Sequence, residues 1–398
     1  MARLIGTIAR GLRAPIVKDG DDLKKIVVET VMNCVENGDF QPRDKDILCI
    51  TESILARTQK NFCTTEQIAK DVANKVGGGT TGIVFPITSR NRFSIMLRGI
   101  AKGSKKVVIQ FSYPGDEVGN KMVDPEAVRK AGVNPYSDVL SLEKFEELFG
   151  RPKHTFTGMD YAHYYQELIE EEGAEAEIVF SNNPTTILDY TKTVIAADIH
   201  TRFDTQRALL EAGAEVAITL SDIMNAPVDG SGYNDQYGLL GANKSTEGIV
   251  KLFPIKSQEF VEAVQKDLIA ATGKQIEVMI YGDGAFKDPV GKIWELADPV
   301  VSPGYTEGLS GVPNEIKLKY LADDKFADLK GADLQRAIEE EIRAKGAQEL
   351  DQQARLGTTP RQLTDLIGSL CDLTSGSGDK GTPFVYIQGY FDNMTAEW

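Results

Sequence analysis

The strongest constraint in this chain is an alternation of short apolar runs with segments of helical periodicity. The runs DILCITESIL (46–55), KKVVIQFSYP (105–114), AEIVFSNNP, KTVIAADIH, AEVAITLSD, QIEVMIYGDGAF and TPFVYIQGY each hold a few consecutive apolar residues before a polar or glycine-rich end. Runs of that length, bounded by turn residues, read as strands buried on both faces. LIGTIARGLRAPI reads as a further strand, turning at Pro15. Between the runs, DDLKKIVVETVMNCVEN places Ile26, Val27, Thr30, Val31 and Cys34 on one helical face, capped by Asp21 or Asp22. CTTEQIAKDVANKVGGG predicts a helix capped near Thr64 or Thr65, with Glu66 in its first turn and Gly77 as its stop. NRFSIMLRGIAKG, EKFEELF, DYAHYYQELIEEEG and RFDTQRALLEAG add further helices, and a charged helix over 333–355 precedes another at 360–373. The pattern predicts a mixed α/β (α+β) chain.

No internal repeat and no long low-complexity linker divides the 398 residues. The texture changes near Asp124 and again near Gly273. Three parts are therefore expected: 1–125, a middle α/β part over 126–275, and 276–398.

Charge removes some functions. With 59 Asp+Glu against 44 Lys+Arg, the net charge of −15 argues against a nucleic-acid partner, which needs clustered cations for phosphates. A nucleotide stays possible, because divalent metals bridge carboxylates to phosphates. No run approaches the ~18 apolar residues of a membrane span, and the N-terminus lacks an apolar targeting segment. A soluble, cytoplasmic protein with no membrane partner is expected. Cys34, Cys49, Cys63 and Cys371 lack metal-site spacing and read as reduced, buried thiols. Only His154, His163 and His200 are present, so a histidine-based triad or metal centre is disfavoured.

Neither Walker A nor GxGxxG, GxSxG or HExxH occurs. What remains is acidic residues and glycines at strand ends. In SYPGDEVGN, Asp116, Glu117 and Asn120 offer oxygen ligands for a hard cation, or a turn whose Asp and Asn stabilise the backbone. In YGDGAFKDPVGKIWE, Asp283 and Asp288 lie among Gly282, Gly284 and Gly291, suited to a metal or phosphate, or to a long hairpin on which Trp294 packs. After Asp372, the run SGSGDKG exposes N–H groups that can cradle an anion, with Asp379 for a metal and Lys380 for a phosphate; the alternative is a flexible loop. VGGGTTG is a weaker version of the same idea. Asn182, Asn183, Asp198 and His200 also fall at strand ends, with His200 either a general base or structural. Asp222, Asn225, Asp229 and Asp235 share one glycine-rich stretch.

Together these segments resemble the coenzyme F-420-0:L-glutamate ligase (gamma-glutamyl ligase) family. GLRAPIVKDGDDLKKIV is similar to its opening strand, nucleotide-contacting turn and Asp-Leu helix, and DKDILCITESILARTQ to its dgDvlvvtqKivSkaEG segment. SYPGDEVGN resembles AGIDxSN, DPVGKIWE has the spacing of DTxGRPWR, and LTDLIGSLCDLTSGSGDKGTPFVYIQG resembles ADELAxAAELVMG…PVVLVRG. The resemblance covers about 1–125 and 276–398, leaving the middle as a large elaboration. Several positions depart from the family pattern. Its motif lysines become Ser53 and Arg57, its AGIDxSN Asp falls on Glu117 with Asp116 one residue early, and the Thr after its second metal-binding Asp is Pro289.

The resemblance implies a gamma-glutamyl ligase-like fold and a gamma-glutamyl amide formed with GTP (or ATP) and Mg²⁺ or Mn²⁺. L-Glutamate and a carboxylate-bearing small molecule would be the partners, and the subunits would pair as a homodimer. It implies that Leu12, Arg13, Ala14, Pro15, Glu52, Ser53, Arg57 and Asn120 lie around the nucleotide, with Ser375, Gly376, Ser377 and Gly378 near its phosphates. Glu117 and Asp288 would hold metal, and Asp116, Asp283, Asp372 and Asp379 are the further candidate ligands. No catalytic nucleophile is expected, because metals would neutralise the phosphoryl charge. Rival readings are the same chemistry on a folate, a metal-dependent phosphohydrolase, and a non-catalytic nucleotide binder.

Overall fold

The computed structural model describes residues 4–154, 157–282, 285–287, 294–296, 302–311, 318–344, 361–375 and 380–392. The strands of the first part are β1 (Ile8–Leu12), β2 (Ile47–Thr51), β3 (Phe62–Thr64), β4 (Thr80–Val84) and β5 (Lys106–Phe111). The middle holds β6 (Leu140–Ser141), β7 (Glu175–Phe180), β8 (Thr193–Ala196), β9 (Val216–Thr219), β10 (Asn243–Thr246) and β11 (Ile249–Lys251). Then follow β12 (Glu277–Tyr281), β13 (Ala285–Lys287), β14 (Trp294–Leu296), β15 (Gly304–Tyr305) and β16 (Phe384–Gln388). The fold is mixed α/β, as expected.

The two chain ends build one sheet of order β1-β16-β2-β12-β15. Its central strands read as continuous apolar runs because both faces are covered. Ile47, Leu48, Cys49 and Ile50 of β2 are fully buried. Leu48 and Ile50 face a core formed with Val27, Val31, Val264 and Leu268, while Ile47 and Cys49 face Ile367 and Cys371. Each such side chain contributes about 1.5–3 kcal/mol on burial. β2 and β12 are parallel, whereas β16 runs antiparallel to both β1 and β2. The ends of β1, β2 and β12 and the start of β16 therefore meet at one edge.

A second, six-stranded sheet has the order β6-β7-β5-β4-β8-β9, parallel except for β6. The chain winds outward from β4 through β5 to β7, then returns to β8 on the other side of β4. This is a doubly wound arrangement, with Ile68, Leu97 and Tyr165 in the core on one face and Ile187 and Leu209 on the other. Its strand pairing does not stop at residue 125, since β4 and β5 precede that position and β7–β9 follow it. A small sheet, β10-β11-β3, ties the two together.

Local signals hold where the determinants lie within a few residues. Asp22 caps the Leu23–Glu36 helix, Thr64 and Gln67 form a capping box on Thr65–Val76, and Gly77 ends that helix at φ 80°. Two expectations are corrected. DILCITESIL does not run into a polar turn, because the Glu52–Thr58 helix starts directly after β2. The helix expected at 360–373 spans Leu363–Ser375, so Ser375 ends a helix rather than opening a loop. The charged helix is described over Gly331–Ala344, and its expected remainder lies outside the described residues.

Candidate active site

Backbone pairing brings the sequence-distant motif ends together at the edge of the first sheet. Leu12 pairs with Phe384, Phe384 pairs with Ile50, and Ile50 pairs with Ile280. Just beyond, Thr51 N–H donates to Pro383 O at 3.1 Å and Ala14 N–H to Gly381 O at 3.4 Å. The turn after β1, the start of the Glu52 helix and the segment before β16 thus share one rim. Leu12 is buried in the core and offers only backbone there, while Arg13 and Pro15 are exposed. Gly11 makes room for this closeness: a Cβ there would lie 3.0 Å from the side chain of Thr382, which would have to give way.

Glu52 is the buried charge of this rim, at 8% exposure. Lys251, at the end of β11 and 5% exposed, donates to both its carboxylate oxygens at 2.7 and 2.9 Å. Arg92, just before the Phe93–Lys102 helix, also feels the charge of Glu52 and that of Asp372. Burial lowers the Arg92 pKa, and those two carboxylates oppose the shift. Asp372 rides on the Leu363–Ser375 helix, where Ser375 is fully buried and accepts the Tyr281 hydroxyl at 2.8 Å or donates to it. Burial raises the pKa of Tyr281 and, well above the ordinary thiol value, that of Cys371. Lys251 thus pairs with Glu52, and the charges of Glu52 and Asp372, from remote segments, both act on Arg92.

Lys251 and Arg92 were missed in the sequence. The usable signal was a lysine inside the apolar run IVKLF, since a charge there is buried only when paired. Ser53 follows Glu52 on the helix and is partly buried. Arg57 stands apart, exposed and paired with Asp19 at 3.5 Å. Gly376, Ser377, Gly378, Asp379, Asp283 and Asp288 lie outside the described residues. The β13–β14 hairpin, whose first strand lies between positions 283 and 288, packs against the helix bearing Asp372.

Asp116, Glu117 and Asn120 lie in the second sheet's loop after β5. Asp116 is a loop staple: its carboxylate accepts from Thr88 N and Oγ1 at 2.9 and 3.0 Å, from Val118 N at 3.2 Å, and from Asn120 N and Nδ2 at 2.8 and 2.9 Å. Asn120 Oδ1 meets His154 Nε2 at 3.2 Å. Glu117 reaches across to the loop after β8, accepting from Ile199 N and from His200 N, the latter at 3.1 Å. Although Glu117 is exposed as a residue, burial around its carboxyl raises its pKa; the two backbone bonds oppose this and Asp198 adds to it. Asp116 thus takes five donors and Glu117 one on each oxygen, and among the described residues no group of three or more His, Cys, Asp or Glu could hold a metal ion. Here the turn reading describes Asp116 and Asn120.

Asn182, Asp222 and Asp229 are engaged in structural contacts. Asn182 exchanges bonds with the Tyr113 backbone at 2.9 and 2.6 Å, Asp222 accepts from Thr219 N at 2.7 Å, and Lys70 pairs with Asp229 at 2.6 Å. Cys49, Cys63 and Cys371 are buried free thiols, as expected, whereas Cys34 is only half-buried. No described helix is long and apolar enough to cross a membrane.

No individual curated protein matches the chain. A family model described as F420-0:Gamma-glutamyl ligase matches residues 11–389, spanning the middle part as well as both ends. A match that begins in β1 and closes one residue after β16 establishes that the chain belongs to the F420-0:gamma-glutamyl ligase family.

Proposed function

We propose that the protein joins L-glutamate to a carboxylate-bearing small molecule, spending GTP or ATP with Mg²⁺ or Mn²⁺. The observation that carries this is the buried Glu52–Lys251 pair, with Arg92 and Asp372 beside it, at the rim where the turn after β1 meets the segment before β16. Cations set into such a rim suit a triphosphate, whose charge they would neutralise. In the reaction, a carboxylate oxygen of the acceptor bonds to the γ-phosphorus and the bond to the β-phosphate oxygen breaks, releasing nucleoside diphosphate. The glutamate amine, having lost a proton, then bonds to the acyl carbon, and inorganic phosphate leaves. Asp372 and the positions at 283, 288 and 379 are the proposed metal ligands, in place of Asp116 and Glu117. A bound metal would screen the phosphate oxygens.

The test is to incubate the protein with GTP or ATP, Mg²⁺ or Mn²⁺, L-glutamate and candidate acceptors, deazaflavin and folate included. Acceptor-dependent release of nucleoside diphosphate, with a product one glutamate heavier by mass spectrometry, is expected. Phosphate release that needs no amine would establish a phosphohydrolase instead. Nucleotide binding without turnover on any acceptor would leave a non-catalytic binder. We also propose that two subunits pair, which sedimentation equilibrium would detect as twice the chain mass.

A further inference from the structure

Of the three histidines, His154 alone is buried, at 8% exposure. Both its ring nitrogens are engaged, and their partners fix which one carries the proton. Asn120 Nδ2 donates to Asp116 Oδ2 at 2.9 Å, which leaves Asn120 Oδ1 facing His154 Nε2 at 3.2 Å. A carboxamide oxygen only accepts, so Nε2 is the protonated nitrogen. On the other side, Nδ1 accepts from Thr157 N at 3.2 Å and lies 3.0 Å from Thr157 Oγ1. A backbone N–H only donates, so Nδ1 keeps its lone pair. These contacts require the neutral imidazole.

What His154 fastens is the meeting point of three segments. Asn120 belongs to the loop after β5, whose Asp116 also holds Thr88 of the loop after β4. The Thr157 turn is closed by His154 N–H to Met159 O at 2.7 Å and by Gly158 N–H to His154 O at 2.8 Å. It leads into the Tyr161–Glu171 helix, which in turn seats the β4 loop: Tyr165 Oη donates to Ile87 O at 2.7 Å and accepts from Ser89 N at 2.9 Å. Arg92, on which the charges of Glu52 and Asp372 act, lies three residues beyond Ser89. Around the His154 ring lie Asp116 and Lys121 of the β5 loop, with Asp160 and Tyr161 at the helix start; the Tyr161 ring stands edge-on at 5.5 Å. Burial lowers the His154 pKa below 6.5, and the Asp116 charge opposes that shift. The folded chain therefore holds this proton less tightly than the unfolded chain. Stability from the contact is full above 6.5 and is lost as pH falls through the folded pKa.

We propose that His154 is an acid-sensitive latch: neutral, it fastens Asn120 to the Thr157 turn, and protonated, it lets the β5 loop part from that turn and loosens the seat of the β4 loop ahead of Arg92. Protonation sets a second N–H at Nδ1 against the Thr157 N–H, so that bond is the first to go. The latch does not depend on the ligase reading.

Hydrogen exchange of the full chain at pH 7.5 and 5.5, corrected for intrinsic rates, reads the latch without any turnover. Protection of the Thr157 and Gly158 amides should fall about fivefold or more at the lower pH, relative to the amides of β2. His154→Gln does not titrate there and should show no such fall, whereas His163→Gln and His200→Gln should keep it. No fall in wild type, or the same fall in His154→Gln, overturns the latch. Should His154→Gln fail to fold, the ring itself decides. In the His163→Gln/His200→Gln double variant, ¹⁵N shifts of the one remaining histidine should show it titrating below 6.5, with its neutral-form proton on Nε2. Titration at or above 6.5, or a neutral-form proton on Nδ1, overturns the proposal equally.

Discussion

Lys251 grips both carboxylate oxygens of Glu52 across 199 residues of sequence, with both side chains almost out of water. Taking two ions out of water costs several kcal/mol each, which their attraction offsets only while both are present. Removing either therefore exposes the whole desolvation cost of the other.

Lys251→Met alone should lower the unfolding free energy by about 3–5 kcal/mol. The double variant Glu52→Gln/Lys251→Met should recover much of that loss, yet no turnover. Denaturant melts of the singles and the double give the coupling directly, and additive effects would mean that the pair contributes nothing.

Asp116 is predicted to act on the fold rather than on metal. Asp116→Ala strands donors from Thr88, Val118 and Asn120 and should cost about 2–3 kcal/mol. Asp116→Asn should leave Mn²⁺ affinity within twofold, measured by electron paramagnetic resonance of free Mn²⁺. A tenfold loss of affinity would restore Asp116 as a ligand.

Asp288 is the sharper metal test. Asp288→Asn should cut turnover by about 100-fold or more while the melting temperature holds, since the charge lost would serve phosphoryl transfer. Full activity in that variant would remove position 288 from the metal set.

Asp46 sets a pH dependence of unusual sign. It is 1% exposed, and burial raises its pKa above 3.8 despite bonds from Gln388, Arg43 N and Tyr386. The folded chain then holds this proton more tightly than the unfolded chain. Stability from it is fully present below 3.8 and is lost as pH rises through the folded pKa. Relative to Asp46→Asn, wild type should therefore lose ground on going from pH 4 to 7 in urea melts; a constant difference would contradict the raised pKa.

How far the sequence could be read depended on the range of the interaction involved. The caps at Asp22 and Thr64 and the stop at Gly77 were legible because each is decided within four residues. The apolar runs within β2, β5, β7 and β12 were legible because strand positions covered on both faces are mostly apolar. The role of the motif at Asp116 was not legible: Asp and Asn at a strand end serve a turn as readily as a cation, and the convergence of Thr88, Val118 and Asn120 on the Asp116 carboxylate appears only in the folded chain.

By itself, the sequence determined the alternation of strand and helix, the mixed α/β class and the order of family motifs along the chain, all of which rest on local periodicity and spacing. Tertiary structure decided which strands pair across residue 125, and that Lys251 and Arg92 come to Glu52 rather than to solvent. It also decided that Asp198 is buried with its Oδ2 accepting from Thr201 and Thr205. Those outcomes depend on desolvation and on partners tens to hundreds of residues away, and neither is written in the spacing of neighbours.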